Sequence, residues 1–332
     1  MPEVSFLLAT VVVGALAFDY INGFHDTANA IATVVSTRVL TPTLAILMAA
    51  GLNFAGAMFA THVAKTIASG IVKPDQATEV VVLAAVLAAI AWNLITWVYG
   101  IPSSSSHALI GGLVGAALAK GGTAIVTWAG LLEKVIYPLF GSPIVGLIVA
   151  YLVMTGITAM TSHLHPRAAG GFFKKAQLVS SALMAFSHGS NDAQKSMGII
   201  TLALVSNGML SKAEVPTWVK IACAVTMALG TAAGGWRIIK TLGHKIIRLE
   251  PVHGFAAETA GAAVILTASH YGMPISTTHA ITASIFGVGA AKRRSAVRWQ
   301  VAKNVVLAWV ITIPATAAFG AGAYWLASHI WK

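Results

Sequence analysis

The sequence predicts an all-α polytopic membrane protein built from two inverted-topology repeats of about five transmembrane helices each, with broken helices or re-entrant half-helices at the midplane. Three observations lead there: an apolar composition, apolar runs of spanning length, and motifs that occur twice. Of 332 residues, 57% are hydrophobic and 9% charged, against roughly 25% charged in an ordinary soluble domain. Apolar runs at 4–21, 42–61, 80–99, 144–160, 218–234, 255–271 and 305–330 each approach the ~20 residues a bilayer core requires. Gly23-x-x-Asp26 recurs as Gly189-x-x-Asp192, an offset of 166, and Gly100-Ile-Pro-Ser-Ser-Ser-Ser-His-Ala recurs from Gly272 as Gly-Met-Pro-Ile-Ser-Thr-Thr-His-Ala, an offset of 172. Six residues are identical between 100–115 and 272–287, where average usage gives about one.

Taken in order, the first repeat (1–165) begins with a span at 4–36 interrupted at Gly23. Glu3 stands where a signal peptide has a basic start, so this run is expected to be retained. Spans follow at 42–61, 79–100, 103–119 and 143–163, with an interfacial helix at 123–140 carrying Glu133 and Lys134. The second repeat (166–332) supplies 174–205, interrupted at Gly189, then 217–235, 252–272, 275–291 and 300–330, and about ten residues, His163–Phe173, join the halves. Five crossings is an odd number, so the copies point in opposite directions. Basic residues agree: thirteen fall on the side reached after odd crossings, including the stretches Arg237–Arg248 and Lys292–Arg298, and seven on the other, Lys332 among them. The richer side is read as cytoplasmic, which places both termini outside the cytoplasm.

Composition also excludes classes. The net charge of +11 resides in short loops, and no segment is long enough for a soluble nucleic-acid-binding domain. Cys223 is the single cysteine, so neither an intrachain disulfide nor a cysteine-based metal site can form.

Paired interruptions in an inverted repeat point to a secondary transporter with a midplane site. Asp26 and Asp192 are the leading candidates for binding a proton or coupling cation, because an ionised carboxylate at mid-bilayer costs ~2.5–3.5 kcal/mol; each could instead cap the helix after the break. Asn22, His25, Asn29, Asn191 and Gln194 complete that set. Pro102 and Pro274 end one helix, and Ser103, Ser104, Ser105, Ser106 and Ser276, Thr277, Thr278 stand where the next begins. A first turn with free N–H groups, a positive dipole end and hydroxyl donors suits an oxyanion, and the two turns could grip one tetrahedral anion; ordinary N-capping is the plainer reading. Lys195 could supply a full positive charge to the anion or pair with Asp192 three residues earlier. His107, His279 and Glu258 are candidates for a proton relay. Gly111-x-x-x-Gly115 and Gly230-x-x-x-Gly234 should let helices pack closely. No metal site or cofactor is expected.

At these residues the sequence resembles the inorganic phosphate transporter family of the Pit type, through NGFHDTANAIATVV, GIPSSSSHALIGG, FSHGSNDAQKSMGI, PISTTHAITAS and RWQVAKNVVLAWVITIPA. The resemblance covers essentially the whole chain. It implies uptake of inorganic phosphate across the cytoplasmic membrane, driven by a cation gradient, with the paired G-x-N-D motifs on Gly23–Asp26 and Gly189–Asp192 and the phosphate-contacting turns on Ser103–Ser106 and Ser276–Thr278. The first copy here reads His25-Asp26 in place of Asn-Asp, which resembles the bacterial low-affinity branch; that branch is proton-coupled and can carry phosphate as a neutral complex with a divalent metal. The reading is therefore a proton-coupled phosphate symporter and not an enzyme, with membrane lipids and a second copy of the chain as partners. Its rivals are a sulfate permease on the same scaffold, a sodium-coupled phosphate symporter, a passive anion channel, and an intramembrane metal hydrolase, which lacks the three or four ligands a catalytic metal needs.

Overall fold

The computed structural model describes residues 5–163, 165–293, 295 and 297–330; Glu3, Val4, Arg294 and Lys332, which entered the sequence argument, lie outside them. Among the described residues thirteen α-helices run in the order α1 (Phe6–Ser36), α2 (Pro42–Phe59), α3 (His62–Ser69), α4 (Glu79–Tyr99), α5 (Ser105–Gly121), α6 (Trp128–Leu131), α7 (Tyr137–Thr161), α8 (Pro166–Ser206), α9 (Thr217–Ala233), α10 (Trp236–Lys240), α11 (Pro251–His270), α12 (Thr277–Lys292) and α13 (Trp299–Ile330). Among the described residues the only β-pairing is an isolated bridge, Val72 to Val126. Six helices or fused helices are long and apolar enough to cross a membrane, and α9 with the segment after it forms a seventh candidate bent by 62°. The chain is a multi-pass membrane protein.

The helices of the first half, α1–α7, and of the second, α8–α13, interlock. α9 packs on α1 and α2 on α8; α5 packs on α13 and α12 on α7. Glycines make these approaches close. A Cβ on Gly115 would lie 1.9 Å from the Ala317 carbonyl oxygen, and one on Gly230 2.1 Å from that of Tyr20, as the two small-residue motifs predict. Burial is inverted relative to a soluble protein: Leu47, Leu87, Leu152, Val179, Leu229 and Val310 face outward, while Asp19, Asn22, His25, Asp26, Asn29, Asp192 and Lys195 are inside. Lipid accepts the apolar side chains, and backbone polar groups are satisfied within the helices.

Four expectations are corrected. Neither α1 nor α8 is interrupted: both run straight through Gly23 and Gly189, because these glycines serve as contact points for the neighbouring helices. The Gly189 position faces the Asn53 backbone of α2, and Gly23 faces Met227 and Gly230 of α9. Asp26 and Asp192 therefore lie mid-helix and cap nothing. The interfacial helix at 123–140 and the span at 143–163 are largely one 34-residue helix, Trp128–Thr161, joined through a π turn at Leu132–Ile136. The basic stretch after α9 is helical, α10 followed by a π turn at Thr241–Lys245. The link between halves is shorter than ten residues, since α8 starts at Pro166 with His165 as its N-cap. The chain leaves the helical path across 100–104, between α4 and α5, and across 271–276, between α11 and α12, where Pro102 and Pro274 were expected to end helices. α12 has 16 residues, about 24 Å at 1.5 Å per residue, short of the ~30 Å hydrocarbon core.

Candidate functional site

Both breaks are built the same way. Gly100 and Gly272 stop their helices in the left-handed region, at φ 65° and 67°, where only glycine sits without strain. The next N–H closes the turn, Ile101 to the Thr96 carbonyl and Met273 to the Ala268 carbonyl, each at 2.9 Å. Pro102 and Pro274 follow, and a serine then caps the new helix: Ser104 Oγ accepts from the His107 N–H at 3.2 Å, and Ser276 Oγ from the His279 N–H at 3.1 Å. Removing either cap, Ser104→Ala or Ser276→Ala, is expected to lower stability by about 1 kcal/mol, read as a fall in the melting temperature of the purified protein.

The two turns meet. Ser106 donates to the Ile275 carbonyl of the opposite turn at 2.9 Å, and the His107 and His279 rings lie 5.0 Å apart. His279 also stacks on Trp309 at 4.0 Å. Both imidazoles are buried, and none of their four ring nitrogens has a hydrogen-bond partner.

Each aspartate touches the turn of its own half. Ser105 Oγ donates to Asp26 Oδ2 at 3.2 Å, and the corresponding Thr277 Oγ1 donates to Asp192 Oδ2 at 3.1 Å. Asn29 of α1 crosses to the other half, donating to Thr277 Oγ1 at 3.2 Å and Thr278 Oγ1 at 2.9 Å. His25 Nδ1 lies 2.6 Å from Asp26 Oδ1, and its Nε2 lies 3.0 Å from Thr96 Oγ1. Thr96 Oγ1 also lies 2.9 Å from the Trp92 carbonyl and 2.9 Å from Ser103 Oγ, so its hydroxyl can serve either the carbonyl or the imidazole. His25, Asp26, Thr96 and Ser103 thus form one connected set of polar groups.

Asp192 is compensated differently. Lys195 Nζ lies 2.5 Å from Asp192 Oδ1, both fully buried, so the ammonium is engaged in an ion pair with the carboxylate that Thr277 of the second turn also bonds. His188 Nε2 sits 3.3 Å from Asp192 Oδ2, its Nδ1 3.1 Å from Asn53 Oδ1. One ligand atom each of Asp26, His188 and Asp192 falls within a 4.8 Å group, a set able to hold a small cation.

The other sequence candidates separate. Asn191 donates to Ser269 Oγ at 2.7 Å, beside the second break. Asn22 is buried with both side-chain amide atoms unpartnered. Gln194 is turned away: its oxygen accepts from the Val63 and Ala64 N–H groups at 2.8 and 3.3 Å, and its amide donates to the Ser190 carbonyl. It caps the start of α3. Glu258 lies in a separate group, bonded by Thr33 at 2.5 Å, Gln177 at 3.2 Å and Ser180. Residues passed over in the sequence include His188, Thr96 and Asn53. His188 carries a signal, since the 166-residue offset aligns it with Asn22; Thr96 and Asn53 lie in apolar spans with nothing to mark them.

The sequence profile of the phosphate transporter family matches residues 22–170 and 157–320. The chain belongs to this family. It is 50% identical over 327 residues to a probable low-affinity inorganic phosphate transporter of Bacillus subtilis (strain 168), covering 98% of each chain. It is 51% identical to a protein of the same description from Rhizobium meliloti (strain 1021), covering 98% of this chain and 97% of the relative. Among solved structures it resembles a sodium-dependent phosphate transporter, with a TM-score of 0.88, 26% identity, and coverage of 98% of this chain and 100% of the other. These relatives are named as transporters and not as enzymes.

Proposed function

We propose that the protein is a secondary active symporter importing inorganic phosphate with protons across the cell membrane by alternating access. One observation carries this reading: two hydroxyl-bearing helix starts from opposite halves converge, each bonded to an aspartate of its own half. N–H groups of the first turns lack intrahelical acceptors, and with Ser105, Thr277 and Thr278 they form a neutral cradle for a tetrahedral anion. A divalent anion beside a bare Asp26 carboxylate is repelled at low dielectric, so anion and proton occupancy rise together. Lys195 offsets Asp192, and a proton taken up at Asp26 or its His25 neighbour offsets the other charge, leaving the loaded chamber without excess negative charge of its own.

Two inverted repeats, 1–165 and 166–332, suit this mechanism. Support comes from contacts that run in opposite senses along α1 and α8: Asp19 meets Ser196 at 2.8 Å, and Thr37 meets Gln177 at 2.8 Å. The richer basic side is then cytoplasmic and both termini are outside.

A sodium-coupled symporter is the second reading, favoured by the Asp26, His188 and Asp192 group and by the sodium dependence of the structural neighbour. Proteoliposomes with imposed gradients decide between them. Phosphate accumulation is expected to follow an inward proton gradient, to collapse with a protonophore, and to be unchanged by a sodium gradient alone; accumulation driven by sodium without a proton gradient would replace the proton reading. Sulfate in excess is expected to leave radiolabelled phosphate uptake intact, because the aspartates at the turns can accept phosphate's proton and sulfate has none to give. Strong competition by sulfate would favour a general oxyanion permease.

A further inference from the structure

A cavity of about 870 Å³ opens where α1 ends, floored by Thr37, Gly243, Ile247 and Leu249. Four cationic side chains from separate segments line it: Arg38 just past α1, Arg248 before α11, Lys292 at the end of α12, and Arg298 before α13. Glu250 is the single acid among its lining residues, and Lys292 Nζ lies 3.0 Å from Glu250 Oε1. Partial burial opposes ionisation of Glu250, yet the Lys292 hydrogen bond and the nearby charges of His253, Lys292 and Arg248 hold its carboxyl below the usual range. Glu250 therefore neutralises Lys292, and among the described residues no further acid lines the cavity to compensate the three guanidinium groups.

A general enrichment of basic residues on one membrane face would scatter them. Here the other half shows what the scaffold requires without a ligand. The turn after α8 repeats the hydrogen bonds of the turn after α1, Gly208 to Val205 matching Arg38 to Val35, and both residues are left-handed, φ 75° and 59°. An arginine thus occupies a backbone position that suits glycine. At the 172-residue offset, Arg248, Lys292 and Arg298 correspond to Gln76, Lys120 and Val126. There Lys120, whose Nζ bonds the Gln76 carbonyl at 2.6 Å, is the one cation of the set, and none of the three arginines has a cationic counterpart. The three arginines are additions to one side only.

We propose that this cavity is a second anion site, separate from the central chamber, which binds a phosphoryl dianion, supplied either as free inorganic phosphate or as the phosphate of a lipid headgroup. A guanidinium fork suits a phosphate's oxygens in charge and shape, and three of them line this cavity. Because its walls come from α1, α11, α12 and the segment before α13, an occupant ties together elements that must shift during transport, and so slows turnover. The floor leads inward: Thr37 Oγ1 donates to Gln177 Oε1 at 2.8 Å, and Gln177 donates to Glu258. The central reading enters only in calling the slowed step phosphate transport.

The test compares native protein with Arg38→Gly, Arg298→Gln and the double variant, none of which touches the central chamber. Arg38→Gly relieves a left-handed non-glycine residue, so its melting temperature is expected to hold or rise; Arg298→Gln provides an independent variant should that position behave otherwise. Equilibrium binding of radiolabelled inorganic phosphate in zwitterionic detergent is expected to show two classes of site in native protein, with one class weakened about tenfold by each lost guanidinium. In proteoliposomes, phosphate on the cavity side is expected to slow native uptake and to spare the double variant. Parallel vesicles of phosphatidylcholine alone or with added phosphatidic acid separate the sources: slowing by phosphatidic acid that the double variant abolishes assigns the site to lipid, and loss of the second phosphate class in detergent assigns it to the free ion. Identical phosphate binding and identical uptake in native and double-variant protein under every lipid condition would overturn the proposal. Failure of the central reading is distinguishable, because phosphate flux would then be absent while the Arg38→Gly effect on phosphate binding persisted.

Discussion

Asp192→Asn is expected to abolish gradient-driven phosphate accumulation and, unlike most transport-dead substitutions, to destabilise the protein severely. Lys195 is fully buried and lies 2.5 Å from Asp192 Oδ1. An amide leaves that ammonium without its counter-charge, and breaking a buried pair from one side costs about 3–5 kcal/mol. Lys195→Asn is the natural second change, because the corresponding residue of the first half is Asn29. The Asp192→Asn/Lys195→Asn protein is expected to regain most of the lost melting temperature and to remain unable to accumulate phosphate. Asp26→Asn disturbs folding less, since it leaves no lysine unpaired, and is expected to lose coupling alone. Thermal melting with flux in the same preparations checks all three. A stable Asp192→Asn protein, or full accumulation in either single variant, would contradict the roles assigned here.

Gly189→Ala is expected to be the most damaging exchange of small residues near the site. A Cβ there would lie 2.2 Å from the Asn53 carbonyl oxygen and 2.5 Å from its Cα, and backbone cannot swing aside as a side chain does. Overpacking of this kind costs about 1–3 kcal/mol, and α2 must move away from α8. Asn53 moves with it, breaking its 2.8 Å bond to Thr231 and its 3.1 Å contact with His188, which in turn faces Asp192. Gly23→Ala, whose nearest contact is 2.6 Å from the Met227 carbonyl, is expected to cost less. Gly51→Ala meets nothing within 4 Å and should be neutral or stabilise by about 0.4–1 kcal/mol. The order of melting temperatures, Gly51→Ala highest and Gly189→Ala lowest, checks the packing. A hinge at Gly189 would instead leave the melting temperature intact and alter only transport rate.

Composition and repetition determined a good deal of this protein by themselves. Helices of spanning length, the paired aspartates and the two Pro–hydroxyl–His turns were all legible, because lipid demands apolar runs and because Gly100, Pro102, Gly272 and Pro274 stop helices by local backbone geometry. Partner choice was not legible. Gly23 and Gly189 look like helix breakers when only their own chain is considered, but they are sites of helix contact, since tolerance of unusual backbone angles and absence of a side chain are the same property of glycine. Gln194 and Lys195 sit side by side in one polar motif, and only the packing of α3 against α8 sent one to cap a helix and the other to neutralise Asp192. Likewise Thr96, Asn53 and the cavity ringed by Arg38, Arg248 and Arg298 join segments up to hundreds of residues apart. Periodicity and turn chemistry are carried by neighbours in sequence, whereas the pairing of buried charges depends on distances that exist only once distant helices have docked.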